Sequence, residues 1–252
     1  MKRIFLLFLS FLCATQGFLT FLNVPPKRRV QLYESPQKPL NETHCVIFFG
    51  GGSNSITHRI YDGFLTSLQN KNISVYVPCF NYQHMPYMLR ILNRKYKDVT
   101  MIGHSSGCNT ALNHCKQKGV SKLILMDPVK TKYRKKFSIP FVRTICILRA
   151  LKSYKITYNP FGLPFIPSIF RITGKNIMMN HHSKIHLTDI PEYGHSDILE
   201  PEISNIMHFT RITVGHKNRT HEHLRNYHEI LTEYFSSIIK NPVKINYPTC
   251  LP

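Results

Sequence analysis

Ser105 stands in Gly103-His104-Ser105-Ser106-Gly107, directly after the apolar run Val99 to Ile102 and ahead of a stretch with helical patterning from about Ser106 to Lys118. Gly-x-Ser-x-Gly on a tight strand-to-helix turn raises a serine hydroxyl above the end of a sheet, where it can attack a carbonyl carbon. Gly103 and Gly107 let strand and helix approach closely, which side chains at those places would obstruct. A serine hydroxyl is a weak nucleophile until a neighbouring base takes its proton, so the rest of such a site must come from elsewhere in the chain.

The base is expected late in the chain, with an acid between it and the nucleophile. His195, in Gly194-His195-Ser196-Asp197, fits because it follows the apolar run Lys184 to Leu187. Among 14 histidines, His216 is the rival, and His181 and His182 are remoter choices. Asp127 ends the run Lys122 to Met126, where a carboxylate can orient an imidazole and stabilise its charged form. Asp189 and Asp197 are alternatives, and an aspartate at such a strand end can equally brace its own loop. A tetrahedral oxyanion needs preorganised N–H donors. The run Phe49-Gly50-Gly51-Gly52 supplies Gly51 and Gly52 as candidates, with the N–H of Ser106 as the other donor. The glycine run is followed by no Gly-Lys-Ser/Thr and contains no GxGxxG, which argues against a phosphate cradle. No CxxC or His/Cys cluster suggests a zinc site, and the chemistry calls for neither metal nor organic cofactor.

The elements that must hold these residues alternate. Apolar runs at Cys45 to Phe49, Ile73 to Val77, Val99 to Ile102 and Lys122 to Met126 are separated by amphipathic stretches near Thr57 to Gln69, Tyr87 to Lys95 and Ser106 to Lys118. Strands spaced by helices of this length predict βαβ units and a mainly parallel sheet covered on both faces, an α/β fold. Val30 to Tyr33 has room for one short strand, and further strands are expected at Ser168 to Ile172 and Lys184 to Leu187. Leu224, Tyr227, Leu231, Tyr234 and Ile238 recur at helical spacing and predict a final packed helix.

The elbow, Met126-Asp127-Pro128-Val129 and Gly194-His195-Ser196-Asp197-Ile198-Leu199 together resemble α/β-hydrolases of the chlorophyllase and platelet-activating-factor acetylhydrolase-like type, over about Cys45 to Ile239. The resemblance implies the α/β-hydrolase fold, with Ser105 as nucleophile, Asp127 as acid and His195 as base. It also implies cleavage of carboxylic esters, acyl esters of lipids foremost, through an acyl-serine. Cys108 departs from the pattern, since chlorophyllases usually have another glycine there, and the stretch after Asp127 is longer and far more basic.

Composition sets the frame. The chain has 252 residues, 42% hydrophobic and only 18% charged, enough for one sizeable core and unlike a disordered or collagen-like chain. Thirty-three Lys and Arg against 13 Asp and Glu give a net charge of +20, which favours anionic partners. Pro128 to Thr188 contains no Asp or Glu. Lys132, Arg134, Lys135 and Lys136 crowd its start beside apolar residues, and such a segment can settle on an anionic membrane surface as a cap-like insert over residues 129–167. Met1-Lys2-Arg3 followed by Ile4 to Leu12 reads as a signal peptide over 1–17, or as an uncleaved anchor to about 24. A linker over 25–44, a hydrolase domain over 45–240 and a tail over 241–252 complete the expected organisation. The leader implies a secreted or lumenal protein, with sequons at Asn41, Asn72 and Asn218, and no nucleic-acid partner. Cys45 with Cys79, and Cys108 with Cys115, are each placed too far apart for a disulfide. A competing reading is a catalytically inactive chain of the same fold that binds anionic membranes or acidic glycans through its basic insert.

Overall fold

The computed structural model describes residues 30–33, 44–51, 58–78, 85–129, 136–151, 175, 177–179, 183–209 and 220–240. Strand β1 (Val30–Tyr33) and β2 (His44–Phe49) are followed by a 3₁₀ turn at His58–Tyr61 that leads into helix α1 (Asp62–Asn70). Next come β3 (Ser74–Pro78), α2 (Met85–Lys95), β4 (Asp98–His104), α3 (Gly107–His114) and β5 (Val120–Met126). The second half contributes β6 (Phe137–Ile139), β7 (Thr144–Ala150), β8 (Ile177–Met179), β9 (Lys184–Ile190), α4 (Pro201–Phe209) and α5 (His221–Lys240).

Seven strands form one sheet in the order β1-β3-β2-β4-β5-β7-β9, parallel throughout except for β1, which runs antiparallel to β3. The strands lie between two apolar layers because their side chains alternate with period two. In β2, Val46 and Phe48 face the layer of α1, α4 and α5, whereas Cys45, Ile47 and Phe49 face that of α2 and α3. The same division holds in β7, where Cys146 and Leu148 oppose Ile145 and Ile147. Burial on both faces explains why these runs read as continuously hydrophobic. Helix α5 buries Leu224, Tyr227, Leu231, Phe235 and Ile238 along one stripe, with Phe235 rather than Tyr234 completing the series.

Chain order places the site. After β2 the chain moves outward to β3, then returns across β2 to β4, so the connections leaving β2 and β4 diverge from neighbouring strand ends. Such a switch point opens a crevice at the C-terminal edge of a parallel sheet. The glycine run follows β2 and the Ser105 turn follows β4, which brings both to that crevice.

Three expectations need correction. Residues 129–167 are not simply an insert, because Thr144–Ala150 is an inner strand, parallel to both β5 and β9. Its apolar run, Ile145 to Leu148, is buried on both faces, and the basic residues around it obscure this in the sequence. The short strand expected at Val30 to Tyr33 does form, but as β1 at the edge of the main sheet, so residues 25–44 are not all linker. The helix after Ser105 ends at His114 rather than near Lys118, and the chain turns through Gly119 at φ 108° into β5. The strand expected at Ser168 to Ile172, the leader and the tail over 241–252 lie outside the described residues. Cys108, Cys115 and Cys146 are buried free thiols. Among the described residues no helix is long and apolar enough to cross a membrane.

Candidate active site

The turn between β4 and α3 puts Ser105 in the left-handed region, at φ 55°. A serine held there is strained, and the surrounding contacts must impose the conformation. Ser105 N–H donates to Met126 O at 3.0 Å, and Val129 N–H donates to Ser105 O at 3.2 Å. Asn109 donates from Nδ2 to Ser106 O at 3.1 Å and to Val129 O at 2.5 Å, which ties the turn to the segment after β5. The two motif glycines are required sterically. A Cβ on Gly107 would stand 2.3 Å from both Gly50 O and Phe49 O, and one on Gly103 would stand 2.7 Å from the Cys108 Cα.

Asp127 occupies the end of β5 with φ 42°, a second strained non-glycine residue, and its N–H donates to Leu148 O on β7 at 2.8 Å. His195 comes from the turn after β9. That turn is braced by Asp197, whose buried carboxylate accepts the Gly194 N–H at 2.7 Å and the Ser204 hydroxyl at 3.4 Å. Tyr193 stacks on Tyr227 of α5 at 4.0 Å between centroids and fastens the same turn to the helix layer.

These three loops bring Ser105, His195 and Asp127 together. His195 Nε2 lies 2.8 Å from Ser105 Oγ, and its Nδ1 lies 2.5 Å from Asp127 Oδ2. His195 and Asp127 are almost fully buried. An ionised Asp127 accepts the Nδ1 proton, which leaves Nε2 as the acceptor facing the serine hydroxyl. This arrangement can take a proton from Ser105 and return it to a leaving group. A small, mostly apolar pocket adjoins it, lined by His104, Met126, Asp127, Leu148, Ala150, Gly194, His195, Ile198 and Tyr227.

The alternatives fall elsewhere. Asp189 is held by Arg149, Nε to Oδ1 and Nη2 to Oδ2 at 2.6 Å each, in a partly exposed pair near the ends of β7 and β9. Asp197 serves the turn rather than the imidazole. His181, His182, His216 and Gly52 lie outside the described residues, as do Lys132, Arg134, Lys135, Asn41 and Asn218. Lys136 is exposed, and Asn72 is exposed in the turn before β3 at φ 59°. Gly51 does pack against the serine, since a Cβ there would stand 3.2 Å from Ser105 Cβ. Its N–H, however, donates to the Tyr61 hydroxyl at 2.8 Å, so as an oxyanion donor Gly51 is already engaged.

Tyr61 is absent from the sequence expectation, and nothing in the spacing of Ile60-Tyr61-Asp62 marks it. Its hydroxyl also meets His104 Nδ1 at 2.8 Å, while His104 Nε2 lies 3.0 Å from the backbone oxygen of His195. Burial, and then the neighbouring His195, push the His104 pKa down to about 3, and burial raises that of Tyr61. Both rings are therefore neutral at ordinary pH. Among the described residues no group of His, Cys, Asp or Glu is placed to hold a metal ion.

No family model matches the sequence, and a search of curated proteins returns no relative. Solved structures are similar in fold at low identity. An esterase, Est2, from the Planctomycetes species Thermogutta terrifontis is 10% identical with a TM-score of 0.52, covering 86% of this chain and 90% of that one. A sugar hydrolase from Lactococcus lactis is 10% identical with a TM-score of 0.50, covering 83% of this chain and 92% of that one. Sheet order, the Ser105 turn between β4 and α3, and these two likenesses agree that the chain has the α/β-hydrolase fold.

Proposed function

We propose that the protein is a serine hydrolase of carboxylic esters, with acyl esters of lipids as its substrate class. The observation that carries this reading is the unbroken contact from Asp127 through His195 to Ser105, at 2.5 and 2.8 Å. His195 Nε2 takes the hydroxyl proton as Ser105 Oγ bonds to the ester carbonyl carbon. The tetrahedral intermediate then collapses, breaking the bond to the alcohol oxygen, which leaves with the proton from His195. Water, deprotonated by the same imidazole, attacks the acyl-serine and releases the acid. Asp127 holds the ring and stabilises its cationic form throughout. The N–H of Ser106 at the start of α3 is our assigned oxyanion donor, with Gly52 the remaining candidate from the glycine run.

The lipid part of the proposal rests on charge. Lys132, Arg134, Lys135 and Lys136 form a basic stretch in a chain of net charge +20, suited to an anionic bilayer surface beside the substrate. We further propose a secreted or lumenal location, for which Asn72 supplies an exposed acceptor for a glycan.

Hydrolysis of p-nitrophenyl acetate, butyrate and palmitate by the wild-type chain, beside Ser105→Ala and His195→Ala, tests the enzyme. Turnover should be lost in both variants, and a fluorophosphonate probe should label only chains that retain Ser105. A folded wild-type chain with neither turnover nor labelling would overturn the reading in favour of a binding protein of the same fold. Attachment to anionic vesicles should weaken as salt rises and when the four basic residues are replaced by glutamine.

A further inference from the structure

We propose that Tyr61 and His104 form a one-way hydrogen-bond chain that positions the glycine loop and the His195 loop against Ser105 and thereby sets the rate of turnover. This inference rests on the hydrolase reading above.

The direction of every bond in the chain is determined. The partner of His104 Nε2 is a carbonyl oxygen, that of His195, which can only accept. Nε2 must therefore carry a proton. Because His104 is buried and neutral, its Nδ1 is then a lone pair and has to accept. The group facing Nδ1 is the Tyr61 hydroxyl, which must donate its one proton there. The tyrosine oxygen is left to accept, and the Gly51 N–H points at it from 2.8 Å. The order is Gly51 N–H to Tyr61 O, Tyr61 O–H to His104 Nδ1, and His104 Nε2–H to His195 O. No link can reverse without leaving a buried polar group unpaired, which costs more than an ordinary hydrogen bond contributes.

The geometry explains what such a chain accomplishes. The glycine loop leaves β2 and the His195 loop leaves β9, at positions far apart in the sheet, and they come together only over Ser105. His104 is the residue immediately before the nucleophile, and its ring lies 4.8 Å from that of His195 between centroids. Tyr61 is wedged by its ring, 4.9 Å from Phe48, and a Cβ on Gly50 would stand 2.9 Å from its Cε2. A rigid, apolar-anchored phenol and a buried imidazole thus gauge the distance between two otherwise independent loops. Displacing the imidazole of His195 by a fraction of an ångström from Ser105 Oγ lowers the rate without changing how substrate binds.

Tyr61→Phe keeps the ring and removes the hydroxyl. Turnover of p-nitrophenyl butyrate per fluorophosphonate-titrated serine should fall roughly tenfold, with KM within about twofold of wild type. Counting only titrated sites removes any loss caused by unfolding. His104→Gln retains an N–H able to reach the His195 carbonyl and should stay closer to wild type than His104→Ala. The ¹⁵N spectrum of histidine-labelled full-length protein at pH 6 should show His104 as the neutral Nε2–H tautomer. Wild-type kcat per titrated site in Tyr61→Phe, equal losses in the two His104 variants, or a His104 imidazolium or Nδ1–H tautomer would each overturn the proposal. A wild-type chain that neither turns over ester nor takes the probe would defeat the hydrolase reading and the role in turnover with it. The spectrum would still decide whether the chain of bonds exists.

Discussion

The sheet carries a histidine–aspartate pair at each end, and the two behave differently. At the C-terminal ends of the strands His195 and Asp127 meet at 2.5 Å, both almost fully buried and both on turns. At the N-terminal ends His44 of β2 and Asp98 of β4 are register partners, 3.5 Å apart and partly exposed. Lys122 stands one strand further along and donates from Nζ to Ile239 O in the last turn of α5, so its charge caps a helix terminus. The same residue types thus form the proposed proton relay at one end and a longer, partly exposed contact at the other. The difference lies in the backbone. Ser105 and Asp127 are each forced to positive φ just past a strand end, which turns their side chains out of the pleat toward a common point. His44 and Asp98 keep ordinary strand positions.

The sharpest way to break this contrast is to neutralise each aspartate. Asparagine tolerates positive φ, so Asp127→Asn should fold, yet present the wrong hydrogen-bonding edge to His195 and lower kcat by roughly 10³- to 10⁴-fold in the ester assay. A smaller effect separates the ends under acid. His104 and His228 are buried, with pKa values lowered by burial to about 3 and about 4, against 6.5 for an exposed ring. The unfolded chain takes up those protons first, so their stabilising contribution is complete above pH 6.5 and is lost as the pH falls toward 4. The melting temperature should decline steadily between pH 6.5 and 4.5. His44 should add less, because Asp98 partly offsets the lowering caused by its burial. The smallest effect is reserved for Asp98→Asn, which should leave ester turnover within twofold and change stability by less than ~1 kcal/mol, as expected of a partly exposed pair. A large loss of activity in that variant would show that the two ends are not independent.

Much of this architecture is legible in the chain. The Ser105 turn stands out because two glycines, an apolar strand and a helix coincide there, and each is required by a close backbone approach that the structure displays. Chain order offers His195 and Asp127 as candidates, with Asp189 and Asp197 left open, and the structure sets Asp127 against His195. Three-dimensional pairing separates the three, with Asp189 held by Arg149 and Asp197 accepting from the Gly194 N–H. Strand β7 is hidden by its setting, since Arg143, Arg149 and Lys152 bracket its buried run and give the stretch the look of a basic surface segment. Tyr61 and the engagement of the Gly51 N–H are invisible for another reason. A hydrogen bond between loops from different strands leaves no periodicity, and a buried tyrosine at the start of an amphipathic stretch resembles any other core residue.

The two strained turns also bear on how such a chain drifts over generations. Left-handed conformations at non-glycine residues cost about 1–3 kcal/mol each, and of the three among the described residues, Asn72, Ser105 and Asp127, the last two are groups proposed to do the chemistry. A glycine in place of Ser105 would relieve that cost and preserve the fold, while discarding the nucleophile. Wherever selection on activity lapses, stability alone favours that exchange. A descendant that keeps the scaffold for another purpose is therefore expected to lose the serine at 105 early, long before its core erodes.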